Sequence, residues 1–228
     1  MSIGGLCLEA CCGCCRNSDV VLLTDTTGSM GGYISNIKAI FTGLEKDFND
    51  PSCRWIVADY KDYEDGGVYQ TPGVKFITPV FTNDWVAIKA AVNALSAGGG
   101  GDGPEGAFLA LEEIASKWET TLGGYANVAA AKRVVIWGGD APSWNADAKA
   151  HPYPSEATLT DALVAKKIHV IGINSTPANG GIDGQAGTEN NPGQAKRICK
   201  ATDGFLFNSV TTLDQIKETL CFGLNKGV

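Results

Sequence analysis

The chain has 228 residues, enough for one domain with a well-filled core, and its 44% hydrophobic and 19% charged residues exclude a disordered or fibrous chain. With 25 acidic against 18 basic residues the net charge is −7, a field that repels phosphate backbones and attracts cations, so nucleic acid is not an expected partner. No run of eighteen apolar residues occurs and the first residues show neither a basic nor an apolar leader region, so a soluble chain with no transmembrane segment and no export signal is expected.

In chain order, residues 19–25 (DVVLLTD) form an apolar run ending in a polar turn, and Tyr33, Ile34, Ile37, Ile40, Phe41 and Leu44 follow at helical spacing. Residues 54–60 (RWIVADY) and 74–80 (VKFITPV) are further predicted strands, joined by a polar loop with no helix between them. These two are expected to pair antiparallel, with Pro79 marking the end of the second or its place at an edge. Two helices are predicted over 84–96 and 104–118, split by the glycine run 98–101, with Asp84 as N-cap of the first and Pro104 in the first turn of the second. The remaining predicted elements are a strand over 132–137, a helix over 156–166, a strand over 167–173, a helix over 192–202, a short strand over 205–207 and a closing helix over 213–224.

Alternation of strands and helices predicts an α/β fold: a three-layer, doubly wound, mainly parallel sheet with one antiparallel edge strand and helices on both faces. Two regions are expected, a cysteine-rich N-terminal segment over 1–18 and one α/β domain over 19–228.

In an open sheet of this kind the ligand crevice lies beyond the carboxyl ends of the strands. Three polar clusters fall there: Asp25-Thr26-Thr27-Gly28-Ser29-Met30 after the first strand, Asp102-Gly103-Pro104-Glu105 after the glycine run, and Gly138-Gly139-Asp140-Ala141-Pro142 after the strand over 132–137. All offer hard oxygen donors, which select Mg²⁺, Mn²⁺ or Ca²⁺ over zinc. Each cluster alone also has an ordinary reading as a turn, an N-cap or a loose loop.

Taken together and in this order, the three clusters resemble the metal-ion-dependent adhesion site of von Willebrand factor type A domains, and the resemblance runs from residue 19 to about residue 224. It implies a divalent cation, Mg²⁺ foremost, held by Asp25, Thr27 and Ser29, with Asp140 behind a coordinated water. Where that family usually has a threonine on the second loop, this chain has Asp102. The Tyr60-Lys61-Asp62-Tyr63 turn and the Gly-Asp-x-Pro-Glu loop resemble most closely the subgroup found in microbial proteins and beside α-type kinases. The implied function is a metal-dependent adhesion or protein-binding module, without catalysis, whose protein ligand completes the metal's coordination through an acidic side chain.

A hydrolase reading is weaker. Ser29 follows a strand and opens a helix, but Thr27 stands where a nucleophile elbow has its first glycine, and His151 and His169 are the only histidines. His169 lies in an apolar strand and reads as a sheet residue. The glycine run lacks the Gly-Lys-Ser/Thr ending of a phosphate-binding loop. Asn174-Ser175-Thr176 is a glycosylation sequon by formula and reads as chance; Trp55, Trp118 and Trp137 read as core, and Trp144 as a rim residue of the binding face.

Cys7, Cys11, Cys12, Cys14 and Cys15 form an odd-numbered cluster outside the family pattern. A disulfide set, a zinc or iron–sulfur site and acylated thiols all suit it; disulfides, within or between chains, are favoured, because the vicinal pairs depart from zinc spacing. In the family resembled, the N-terminal segment and last helix lie at one end, which makes Cys221 a candidate partner. A second functional reading follows, a structural subunit that self-associates through this segment. The cysteine content favours an extracellular or surface location while the missing leader does not, and the compartment stays open.

Overall fold

The structure, a computed structural model, describes residues 15–48, 50–61, 73–100, 104–125, 131–144, 153–184 and 192–208. Among the described residues six strands form one sheet: β1 (Ser18–Asp25), β2 (Cys53–Tyr60), β3 (Val74–Phe76), β4 (Lys132–Gly139), β5 (Ile168–Asn174) and β6 (Phe205–Asn208). Five α-helices accompany them among the same residues: α1 (Gly31–Phe48), α2 (Trp85–Ala94), α3 (Ala107–Lys117), α4 (Glu156–Ala165) and α5 (Gln194–Ala201). The spatial order is β3-β2-β1-β4-β5-β6, with every neighbour parallel except β2 and β3.

The hydrophobic strands are buried on both faces of this sheet, because side chains alternate across a strand. Val20 and Leu22 of β1, Trp55 and Val57 of β2, and Val134 and Ile136 of β4 face one way, against Ile34, Ile37 and Phe41 of α1 and Ile88 and Val92 of α2. Val21, Leu23, Ile56, Val135 and Trp137 face the other way, against Phe108, Leu111 and Ile114 of α3, Leu159 and Leu163 of α4 and Ile198 of α5. On the first face Trp55 is wedged between Phe41, Phe48 and Trp85, with ring centroids 5.7, 6.1 and 6.0 Å away. Each side chain so enclosed contributes roughly 1.5–3 kcal/mol of transfer free energy. The α/β, mainly parallel fold with helices on both faces and an antiparallel edge strand is therefore the one expected, and it is Rossmann-like.

Some boundaries differ. β3 stops at Phe76 rather than running to residue 80. Continued in register, Trp55 would face Pro79, which has no N–H to give to the ladder. The chain bulges instead: Ile77 N and Thr78 N both donate to Val57 O (2.9 and 3.2 Å), and Thr82 replaces Pro79 as the partner of Trp55. α3 begins at Ala107 rather than residue 104, because Glu105 is taken up in a bridge with Ser143. Gly106 has no side chain to cap the helix, and Ser143, distant in sequence, does so by accepting from Phe108 N at 2.8 Å. α2 is capped as expected, Asp84 accepting from Val86 N and Ala87 N. The predicted helix over 213–224 lies outside the described residues.

Candidate metal centre

Between β1 and β4 the strand order reverses, since the chain winds outward from β1 to β3 and returns to β4 on the other side. In open sheets of this kind the ligand crevice lies at the carboxyl ends of the two strands that flank such a reversal. Asp25 is the last residue of β1, and Asp140 follows the last residue of β4. Two of the three polar clusters thus meet at the switch point.

The backbone of the first loop folds tightly onto Asp25. Thr27 N and Thr27 Oγ1 donate to Asp25 Oδ1 at 2.8 and 2.7 Å, and Thr27 Oγ1 lies 3.3 Å from Ser29 Oγ. Carboxylate and both hydroxyls are therefore gathered as the sequence predicts. Asp25 is fully buried, and its other oxygen, Oδ2, has no hydrogen-bond partner among the described residues. Burial raises its pKa to about 7, against the pull of the two Thr27 hydrogen bonds; the charge of Asp140 adds to the rise and that of Lys61 opposes it.

The glycine run is fastened to the same loop. Gly98 N donates to Thr26 O (3.0 Å) and Gly28 N to Gly99 O (2.8 Å), while Lys61 Nζ reaches Thr26 O at 2.7 Å and also Gly98 O. Gly100 adopts φ +81°, and a Cβ there would lie 2.9 Å from Thr27 Cβ, so only glycine suits the position. Asp102, the expected donor from this run, lies outside the described residues. On its far side Glu105 is described: it is buried, and its carboxylate is close to Gly100.

Asp140 is held from the neighbouring strand. Thr176 Oγ1 donates to Asp140 O at 3.1 Å, and Ser175 N and Oγ both donate to Gly139 O. Asn174 is buried, with Nδ2 donating to Gly180 O at 2.9 Å, so the formal sequon is a structural turn around the Asp140 loop. Trp144, expected at the rim, is buried instead: Trp144 N donates to Glu105 O, which draws the residue inward.

Two tyrosines were missed. A Cβ at Gly138 would meet Tyr33 Oη at 2.4 Å, and one at Gly139 would meet Tyr60 Oη at 2.5 Å. The two rings thus approach the end of β4 from opposite faces of the sheet. Both phenols are driven above their ordinary pKa by burial, with the charge of Asp25 adding to it, so they stay neutral walls around the carboxylate. The readable trace was the Gly-Gly pair itself, since glycine at a strand end marks a close approach. Gly139→Ala is expected to lower stability by about 1–3 kcal/mol, as the new methyl must displace Tyr60 and the Ile182 side chain 2.9 Å away. Denaturant melts of the two proteins compare it directly; an unchanged midpoint would mean the packing there is loose.

Among the described residues no group of three or more His, Cys, Asp and Glu side chains is placed to hold a metal ion. The donor set predicted here has a different make-up, two hydroxyls with two carboxylates, and its fifth member is Asp102. His169 Nδ1 is 2.8 Å from Thr202 O near the start of β5, away from Ser29, and His151 lies outside the described residues. No helix among the described residues is long and apolar enough to cross a membrane. Cys7, Cys11, Cys12, Cys14 and Cys221 also lie outside the described residues. No model of a known protein family matches the chain, and no curated protein matches it in sequence.

Proposed function

We propose that the chain is a metal-dependent adhesion or protein-binding module of the von Willebrand factor type A kind, with a divalent cation at the β1–β4 switch point. Asp25, Thr27 and Ser29 would hold the cation, with Asp140 across the crevice and Asp102 from the glycine run. The observation that carries this reading is Asp25 Oδ2, a buried carboxylate oxygen without a hydrogen-bond partner among the described residues, beside two hydroxyl oxygens. An orphaned buried anion is costly, and a hard cation in reach of those oxygens offsets the cost. Mg²⁺ suits the set best, with Mn²⁺ and Ca²⁺ as substitutes.

A bound cation would supply residual positive charge at the surface, because the hydroxyls of Thr27 and Ser29 are neutral. An acidic side chain of a protein ligand is the natural complement. The residues of the chain orient and desolvate: Thr27 fixes the Asp25 carboxylate, Lys61 ties the two loops together, and Tyr33 and Tyr60 flank the end of β4 from the two faces of the sheet.

Millimolar Mg²⁺ or Mn²⁺ is expected to raise the melting temperature, since a ligand of the folded state alone stabilises it by mass action. The rise should be larger at pH 8 than at pH 5.5. Asp25 holds a proton below about 7, and a cation must displace it. Melting curves that do not move with any of the three cations at pH 8 would sink the proposal.

A further inference from the structure

Four glycines in succession, residues 98–101, make up the run that leads toward Asp102. Such a run has no side chains with which to anchor itself, and each glycine gives up more backbone freedom on ordering than any other residue. Gly99 and Gly100 take φ +74° and +81°, and both are exposed. What fixes the run must therefore come from outside it. Two backbone hydrogen bonds lay it beside the loop that follows β1, Gly98 N donating to Thr26 O at 3.0 Å and Gly28 N to Gly99 O at 2.8 Å.

A side chain adds a further tie. Lys61 follows the last residue of β2, and its Nζ donates to Thr26 O at 2.7 Å and also to Gly98 O. One ammonium thus bridges a carbonyl of the Asp25 loop and a carbonyl of the glycine run. The strand end that delivers it is itself fixed to the same loop: Thr26 N donates to Tyr60 O at 3.1 Å, and Thr26 Oγ1 to Asp59 Oδ2 at 3.1 Å. Thr26 is fully buried, so these bonds are shielded from water.

Charge alone argues against a lysine here. Its positive field acts on Asp25, and the same field repels a divalent cation bound there. A lysine that acted only through its charge would weaken the site, one that only satisfied two loop carbonyls would leave metal affinity unmoved, and one that positions the run would strengthen it. The three roles differ in sign, so one substitution separates them.

We propose that Lys61 is a positioning residue of the metal centre, a latch that holds the glycine run against the loop over 26–28 and so fixes where the chain sets out toward Asp102. Its role toward a cation rests on the metal reading given above; the bridge itself belongs to the metal-free fold.

The test compares the full-length parent with Lys61→Met, which keeps the stem and removes donors and charge, and with Lys61→Arg, which keeps both. Mn²⁺ affinity is read by titration calorimetry, and exchange of the Gly28 and Gly98 amide protons by nuclear magnetic resonance on the metal-free proteins. Lys61→Met is expected to bind Mn²⁺ about tenfold more weakly and to exchange both amides about tenfold faster, the loss that goes with a hydrogen bond from a charged donor. Lys61→Arg should recover most of both. Amides in the middle of β1 should exchange as in the parent, which separates a loosened loop from a loosened fold. Mn²⁺ binding by Lys61→Met that is unchanged or tighter, or an equal loss in Lys61→Arg, overturns the proposal. A parent that binds no cation sinks the metal reading instead, and the bridge is then judged on the metal-free proteins: faster exchange of Gly28 and Gly98 in Lys61→Met upholds it, and unchanged exchange overturns it.

Discussion

Replacing Asp25 with asparagine is expected to abolish Mn²⁺ binding and, at pH 8, to make the metal-free protein more stable. The carboxyl has a pKa of about 7 in the fold against an ordinary value of 3.8. A group whose pKa folding raises gives its full stabilisation only below the unfolded value, and loses it as pH climbs from about 4 through 7. At pH 8 the metal-free fold therefore holds a buried charge, and the difference between the two pKa values amounts to roughly 4 kcal/mol. Asparagine removes that charge while its oxygen still accepts from Thr27 N and Oγ1. Its amide nitrogen lacks an acceptor, so the net gain should be of the order of 1–3 kcal/mol. Below pH 4 the gain disappears, because Asp25 is neutral in both states. Titration calorimetry with Mn²⁺ and urea melts at pH 4 and 8 test both halves. A variant that still binds the metal removes Asp25 from the site; one that binds nothing and is also less stable at pH 8 shows that the carboxylate is satisfied within the protein.

Arg54→Ala is expected to cost about 3–5 kcal/mol at pH 7, the loss typical of a buried ion left without its partner. Asp19 is fully buried and accepts from Arg54 Nε and Nη2 at 2.8 and 2.9 Å and from Tyr125 N at 2.6 Å. The guanidinium also stacks on the Tyr125 ring, 3.7 Å from its centroid, so alanine removes packing as well as charge. Burial already raises the pKa of Asp19 above the ordinary value, and without Arg54 it rises further. The variant's deficit should therefore shrink in acid, as Asp19 takes up a proton, and be largest at neutral pH. This network sits at the start of β1 and Asp25 at its end, roughly 20 Å away at 3.3 Å per residue. Mn²⁺ affinity should stay as in the parent. A small, pH-independent loss in denaturant melts would show that Asp19 finds other partners; a loss of metal affinity would show that the two ends of β1 are coupled.

The layered fold could be read from the chain alone because it rests on local patterns. The runs VVLL, WIVA, RVVIW and HVIGI are apolar on both sides of the pleat, which only a sheet covered on both faces can bury, and the lack of a helical sequence pattern between the predicted strands over 54–60 and 74–80 was enough to predict the antiparallel pair. Asp84 as a cap was legible for the same reason: it depends on the next three residues. So were Asp25, Thr27 and Ser29, whose oxygens gather through contacts no more than two residues apart.

What the sequence could not decide depends on distant partners. Ser143 caps α3 from a different loop, Tyr33 and Tyr60 reach the end of β4 from opposite faces, and Trp144 is turned inward by a bond to Glu105. Pro79 was legible as a strand end from its missing N–H, but the bulge that stops β3 at Phe76 and hands Trp55 to Thr82 is a matter of register that no local pattern contains. Local composition determined which elements form and which oxygens cluster on one loop. Strand order determined which loops share a crevice, because side-chain contacts across a sheet are set by pairing and not by spacing along the chain.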